Sequence, residues 1–207
     1  MKIAVVNYGM GNLGSVRRAF EDIGADIFIA NDPSELYEAN RIVLPGVGAF
    51  TEGMTCLTDS GWTSVLNEVV INQEKPLLGI CLGMQMLASI GYEGGKTKGL
   101  GFIPGTIQRL NTIGCNLRIP HMGWNEVKYL KSDELFDGIP DSSDFYFVHS
   151  YAFVPENQSN LIATTPYDVN VAATIRHGNI FGCQFHPEKS SKAGRQLLKN
   201  FMGYVPC

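Results

Sequence analysis

Residues Pro76–Leu87 read PLLGICLGMQML, and the change of period inside this stretch decides the fold. Leu77, Leu78 and Ile80 make a continuous apolar run of strand length, whereas Met84, Gln85, Leu87 and Ala88 recur at helical spacing. Residues 79–83 are therefore expected to form the bend that joins strand to helix. A single cysteine, Cys81, sits inside that bend.

The same alternation continues outward. Towards the N-terminus, KIAVVNY (2–8) reads as a strand, LGSVRRAFEDIG (13–24) as an amphipathic helix, ADIFIA (25–30) and RIVLPG (41–46) as strands, and WTSVLNEVVINQ (62–73) as a helix. Asn12 is placed to cap the first helix and Gly24 to end it. Beyond about Gly99 the texture changes to short β-like runs with turn residues: GFIPGTIQRL, LRIPHMGWNEVKYL, FYFVHSYAFV, LIATTPY and VAATIRHGNIFGCQFHP, closed by a helix over 192–202. The expected fold class is α/β: an open, mostly parallel central sheet flanked by helices, with an antiparallel, β-rich second half. No repeat, low-complexity tract or linker divides the chain, so residues 1–207 are read as one domain. In open parallel sheets ligands gather beyond the carboxyl ends of the strands. Three loops qualify, NYGMGN (7–12), LPGVGAF (44–50) and GICLGMQ (79–85).

Composition narrows the partners. With 44% hydrophobic and 17% charged residues, a net charge of −4 and a pI near 5.5, the chain can bury a core and carries no basic footprint for nucleic acid or anionic membrane. Cys56, Cys81, Cys115, Cys183 and Cys207 are odd in number, scattered and without CxxC spacing, which argues against a disulfide framework or a structural zinc site. The apolar run at the N-terminus is short for a signal peptide. The expectation is a cytoplasmic protein whose partner is a small molecule or another protein, with no metal and no cofactor.

Three motifs compete for the chemistry. GMGNLG (Gly9, Gly11, Gly14) follows a strand, opens a helix and has Asp32 about 20 residues further on, which fits a dinucleotide fingerprint and keeps an NAD-binding dehydrogenase as the rival reading. GYEGGKT (91–97) is short of a P-loop and follows a helix instead of a strand. HPE (186–188) has the His-x-Glu of zinc deaminases without a following Cys-x-x-Cys.

Cys81 carries the stronger argument. A thiol at a helix N-terminus feels the positive end of the backbone dipoles, which favours its thiolate. Gly79 and Gly83 relieve crowding at a sharp turn, and GICLG has the form of the nucleophile elbow Gly-x-Ser-x-Gly with sulfur in place of oxygen. A buried cysteine serving as a small hydrophobe is the plainer alternative. A thiolate needs a base and a group that orients the base. Of the four histidines, His177 lies in a hairpin turn, and His121 and His149 sit among aromatic strand residues where a structural role is the default. His186 follows the apolar strand IFGCQF, and Pro187 is expected to hold an extended link that lets His186 and Glu188 project to the same side. A carboxylate beside an imidazole fixes its tautomer and stabilises its charged form. For the oxyanion, the Gly46-Val47-Gly48 turn and the N–H of Leu82 are candidate donors, although those glycines could equally serve only the turn.

PGVGAF, GICLGMQML and QFHPEKS, in that order, resemble the class I, triad-type glutamine amidotransferases. NYGMGNLGSV, PHMGWNEV and YFVHSY narrow the resemblance to the glutaminase-subunit family of imidazole glycerol phosphate synthase, and it runs through nearly the whole chain. It implies that Cys81 attacks the side-chain amide of glutamine, that His186 shuttles the proton and that Glu188 orients His186. It further implies that Gly46, Gly48, Gln85, Glu93, Ser150 and Tyr151 hold glutamine and that Val47 and Leu82 line the oxyanion hole. The ammonia would pass to a TIM-barrel cyclase, a separate chain in a heterodimer, docked on Asn12, Met122, Trp124, Tyr146 and Lys189. Ordinary core packing is the competing reading of Trp124. In this family the first loop faces the partner, which sets the dinucleotide reading aside. Related subunits deliver ammonia for surface-sugar modification, which remains the alternative pathway.

Overall fold

A computed structural model describes residues 1–206. In chain order the elements are β1 (Lys2–Val6), α1 (Leu13–Glu21), β2 (Asp26–Ala30), β3 (Arg41–Gly46), α2 (Phe50–Asp59), α3 (Trp62–Leu66), β4 (Leu77–Cys81), α4 (Leu82–Met86), β5 (Ile90–Gly91), β6 (Thr97–Lys98), β7 (Gly105–Arg109), β8 (His121–Tyr129), β9 (Ser143–His149), β10 (Tyr151–Pro155), β11 (Leu161–Tyr167), β12 (Val169–His177), β13 (Ile180–Cys183) and α5 (Ser191–Gly203). Short 3₁₀ turns fill several connections, and α3 runs on into a π-helical turn over Asn67–Asn72.

Nine strands form one sheet in the order β2-β1-β3-β4-β13-β12-β11-β8-β9. The first five are mutually parallel and the rest antiparallel, so the second half of the chain extends the sheet begun by the first. A four-stranded sheet, β10-β7-β5-β6, stands apart. The expected parallel core with an antiparallel second half is what the chain builds. Two strands depart from that division: β7 lies parallel to β5 in the smaller sheet, and β13 comes late in the sequence yet lies parallel to β4, pairing Cys183 with Ile80.

The sheet is apolar on both sides, which explains why its strands read as continuous hydrophobic runs. Ala4, Val6, Ile42, Leu44 and Leu77 face Phe50, Met54, Leu57, Trp62 and Leu66 of α2 and α3. On the opposite side Ile3, Val5, Val43, Leu78, Ile80 and Phe181 face Val16 and Phe20 of α1 and Leu197, Leu198 and Phe201 of α5. The C-terminal segment is tied down from within: buried Arg41 donates from Nε to the Met202 carbonyl at 2.9 Å and from its guanidinium to the Tyr204 carbonyl. No helix among the described residues is long and apolar enough to cross a membrane.

Two local expectations are corrected. The bend is concentrated at one residue, because β4 runs to Cys81 and α4 starts at Leu82. Helix α2 has no counterpart among the elements read from the sequence. Phe50, Met54 and Leu57 do have helical spacing, but Gly53 and three threonines lower the local propensity. Gly53 is there for packing: a Cβ on it would stand 3.1 Å from Leu82 Cδ2 and Met86 Sδ of α4.

Candidate active site

The three loops expected to gather a ligand end β1, β3 and β4, and β13 brings a fourth chain end beside them. Cys81 adopts φ 53° and ψ −110°, a conformation that side chains other than glycine rarely accept. This strain turns a buried strand into a helix within one residue. Its neighbours permit the turn only by lacking side chains. A Cβ on Gly83 would lie 1.7 Å from the Leu44 carbonyl oxygen, and one on Gly79 would lie 2.8 Å from the Gly83 backbone.

Cys81 is 7% exposed at the floor of a cleft of about 310 Å³ lined by Val47, Gly48, Leu82, Gln85, Glu93, Pro120, Val148, His149, Ser150, Tyr151 and His186. That volume suits a small metabolite. Of the residues assigned to catalysis, oxyanion donation and glutamine binding, only Gly46 and Glu188 are not on its surface. Gly46 ends β3 as the register partner of Cys81, and Glu188 stands behind His186.

His186 follows β13 and is placed by backbone contacts: its N–H donates to the Tyr146 carbonyl at 2.9 Å, and its own carbonyl accepts from Ser190 Oγ at 2.6 Å. Its Nδ1 lies 2.8 Å from Glu188 Oε1, both side chains being almost fully buried. The link is not extended, as the proline suggested. Residues Pro187–Lys189 form a 3₁₀ turn, and that turn folds the carboxylate back under the ring. Nε2 is buried without a hydrogen-bond partner in normal geometry. Burial works to lower the pKa of His186, but the Cys81 thiol and the Glu188 carboxylate outweigh it and raise the value to about 9.

The sequence reading missed Gln184. It is fully buried, donates from Nε2 towards Cys81 Sγ at 3.8 Å and accepts at Oε1 from Gln85 Nε2 at 3.0 Å. The signal was present in the two-residue period of QFH, which puts Gln184 and His186 on one side of the chain. Cys81 Sγ is also 3.9 Å from the Val148 carbonyl, to which the thiol can donate. Glu93 accepts from the Phe50 N–H at 2.7 Å and so caps α2, whose own Ala49 supplies no side-chain cap.

The residues assigned to docking lie on an outer face. Trp124 and Tyr146 are register partners on β8 and β9 with their rings edge to face at 6.0 Å, and Lys189 Nζ stands 6.0 Å over the Tyr146 ring. Met122 is 62% and Trp124 54% exposed, which removes core packing as the reading of Trp124. Asn12 is exposed and its Oδ1 accepts from the Ser15 N–H at 3.2 Å, the cap expected for α1. Asp32, the acid of the dinucleotide fingerprint, is engaged in a capping box with Ser34 and Glu35.

A family model described as glutamine amidotransferase class-I matches residues 4–204. The chain is similar to imidazole glycerol phosphate synthase subunit HisH of Moorella thermoacetica, 46% identical over 96% of this chain and 93% of that one. It is 49% identical to subunit HisH 1 of Campylobacter jejuni subsp. jejuni, over 96% and 98% of the two chains. The HisH subunit of Pelagibacter ubique is 40% identical over 98% and 99%. Among solved structures, a glutamine amidotransferase superposes with a TM-score of 0.76 at 18% identity over 97% of each chain. PurLQS from Thermotoga maritima does so with a TM-score of 0.76 at 19% identity over 98% of each. At such identities the likeness concerns the fold alone.

Proposed function

The chain belongs to the class-I glutamine amidotransferase family, and from that membership we infer that it is the glutamine-hydrolysing subunit of a synthase making imidazole glycerol phosphate in histidine biosynthesis. The observation that carries the chemical reading is the meeting, in one cleft, of a strained Cys81 with the buried His186–Glu188 pair.

The proposed reaction follows from that geometry. Cys81 Sγ adds to the side-chain carbonyl carbon of glutamine while His186 holds the thiol proton. The negative oxygen that forms faces the N–H of Leu82 and the Val47–Gly48 turn. Collapse breaks the C–N bond, and His186 gives its proton to the departing ammonia. Water then attacks the γ-glutamyl thioester, His186 takes its proton, and glutamate leaves as the thiol reforms. Glu188 holds the imidazole with Nδ1 protonated so that Nε2 does this work. Gly46, Gly48, Gln85, Glu93, Ser150 and Tyr151 hold the substrate, with the Glu93 carboxylate complementary to its α-ammonium group.

Residues 1–207 are taken to act as one glutamine amidotransferase domain. Ammonia reacts as a nucleophile only while unprotonated, so a closed route to an acceptor is required. We assign the acceptor to a TIM-barrel cyclase on a separate chain, docked on Asn12, Met122, Trp124, Tyr146 and Lys189. An exposed aromatic and methionine surface rimmed by charge suits such a contact. The decisive experiment is Cys81→Ala: glutamine hydrolysis is expected to fall by about 10⁴-fold or more, with the circular dichroism spectrum unchanged. Retained hydrolysis overturns the reading.

A further inference from the structure

Two histidines left unused by this mechanism form, with one asparagine, a line of hydrogen bonds from the outer strands of the sheet to the cleft. His121 opens β8, His149 closes β9, and the two are register partners. Asn125 Nδ2 lies 3.1 Å from His121 Nε2, His121 Nδ1 lies 2.9 Å from His149 Nε2, and His149 Nδ1 lies 2.8 Å from the Tyr151 carbonyl oxygen.

The positions of the protons follow from Asn125. Its side-chain oxygen accepts from the Glu126 N–H at 2.9 Å and its nitrogen donates to the Pro166 carbonyl at 2.8 Å. Turning the amide over would set donor against donor and acceptor against acceptor. The nitrogen therefore faces His121, whose Nε2 must accept. A neutral His121 then carries its proton on Nδ1 and donates to His149 Nε2, and His149 carries its own on Nδ1 and donates to Tyr151. Both rings stay neutral because burial dominates, lowering His121 to about 4 and His149 to about 3. His121 is also clamped between Tyr167 and Phe147, with ring centroids at 4.1 and 4.7 Å.

The line does not stop at Tyr151. Its carbonyl oxygen accepts a second bond, from Gln85 Nε2 at 3.1 Å; Gln85 also donates to Gln184, and Gln184 reaches Cys81. Every member thus has one allowed orientation, dictated by the one before it.

We propose that Asn125, His121 and His149 are positioning residues for glutamine: they fix the Tyr151 carbonyl, and with it the Ser150–Tyr151 wall and the Gln85 carboxamide. The proposal rests on the glutamine reading of the cleft, so its test has two independent readouts. Nitrogen-15 spectra of the full chain at pH 7 should show both rings as the Nδ1–H tautomer; either ring found as the Nε2–H tautomer or as imidazolium overturns the proton order. Steady-state kinetics are the second readout. His121→Phe keeps the ring clamp and removes the donor, and loss of one such bond should raise KM for glutamine about tenfold with kcat within about twofold. Asn125→Asp covers the case in which that variant does not fold. It presents an acceptor to His121 Nε2, at the cost of setting a carboxylate oxygen against the Pro166 carbonyl, and is expected to move both ring protons to Nε2 and raise KM similarly. An unchanged KM in either folded variant overturns the positioning role. Absence of glutaminase activity from the wild-type chain assembled with its cyclase overturns the glutamine reading itself, and the spectra still decide the proton order.

Discussion

Glu188 contributes at the scale of a single proton. Its carboxylate and the Cys81 thiol together hold the charged form of His186 against the cost of burial, with a value of about 9. In the proposed reaction His186 must be charged to protonate the departing ammonia, so hydrolysis should decline as pH rises through about 9. Glu188→Gln removes the stabilising carboxylate charge. The declining limb should then move to lower pH, and kcat should fall by about 10²–10⁴-fold; a limb that stays in place would show that Glu188 does not govern the imidazole. The placement of Cys81 at the elbow and of His186 beside Glu188 was legible in the sequence because both patterns are local: glycines on either side of a cysteine where the period changes, and an acid two residues beyond a histidine. His121 and His149 were not. Their chemistry comes from pairing across β8 and β9, and a default structural role was all the chain order allowed.

At the scale of the element, the elbow between β4 and α4 is built from absences. Gly79 and Gly83 let the helix start against the end of its own strand and against β3. Gly83→Ala would force a methyl carbon to within 1.7 Å of the Leu44 oxygen. The expected cost is about 3 kcal/mol or more in chemical denaturation. A loss under about 1 kcal/mol would mean that the elbow is looser than described. The period change in PLLGICLGMQML foretold this element, but its sharpness depends on the approach of Leu44, which lies on a different strand. The turn after His186 teaches the same lesson. Pro187 fixes its own backbone but not that of Glu188, and the 3₁₀ geometry is completed by the Ser190 and Tyr146 contacts. The β8–β9 pair also sets an acid response. The ordinary histidine value of 6.5 is lowered in both rings, chiefly by burial, so the unfolded chain takes up protons first. Stability is full above about 6.5 and drains away as pH falls through 4 to 3. His121→Phe should flatten the slope of unfolding free energy between pH 6.5 and 4, whereas an unaltered slope would assign the acid response elsewhere.

At the scale of the whole molecule, the parallel half of the sheet brings its strand ends together and the antiparallel half presents the exposed Met122 and Trp124 face proposed for docking. Strand β13 joins the two: it lies parallel to β4, continues into Gln184 and His186, and passes within the same turn to Lys189 on the outer face. Nothing local in IFGC distinguishes a parallel from an antiparallel partner, so this placement was not legible from order alone. If Trp124 and Tyr146 seat a cyclase, Trp124→Ala should weaken that association by about 2 kcal/mol or more in calorimetry. Basal glutamine hydrolysis by the isolated chain should not change, and unaltered affinity would move the docking face elsewhere. The claim on which the account turns is that glutamine passes through a covalent bond to Cys81. Rapid acid quench during turnover, followed by mass analysis of the peptide that contains Cys81, tests it directly. The account predicts a γ-glutamyl adduct on that cysteine; glutamate formed at the normal rate with the cysteine never modified would contradict it.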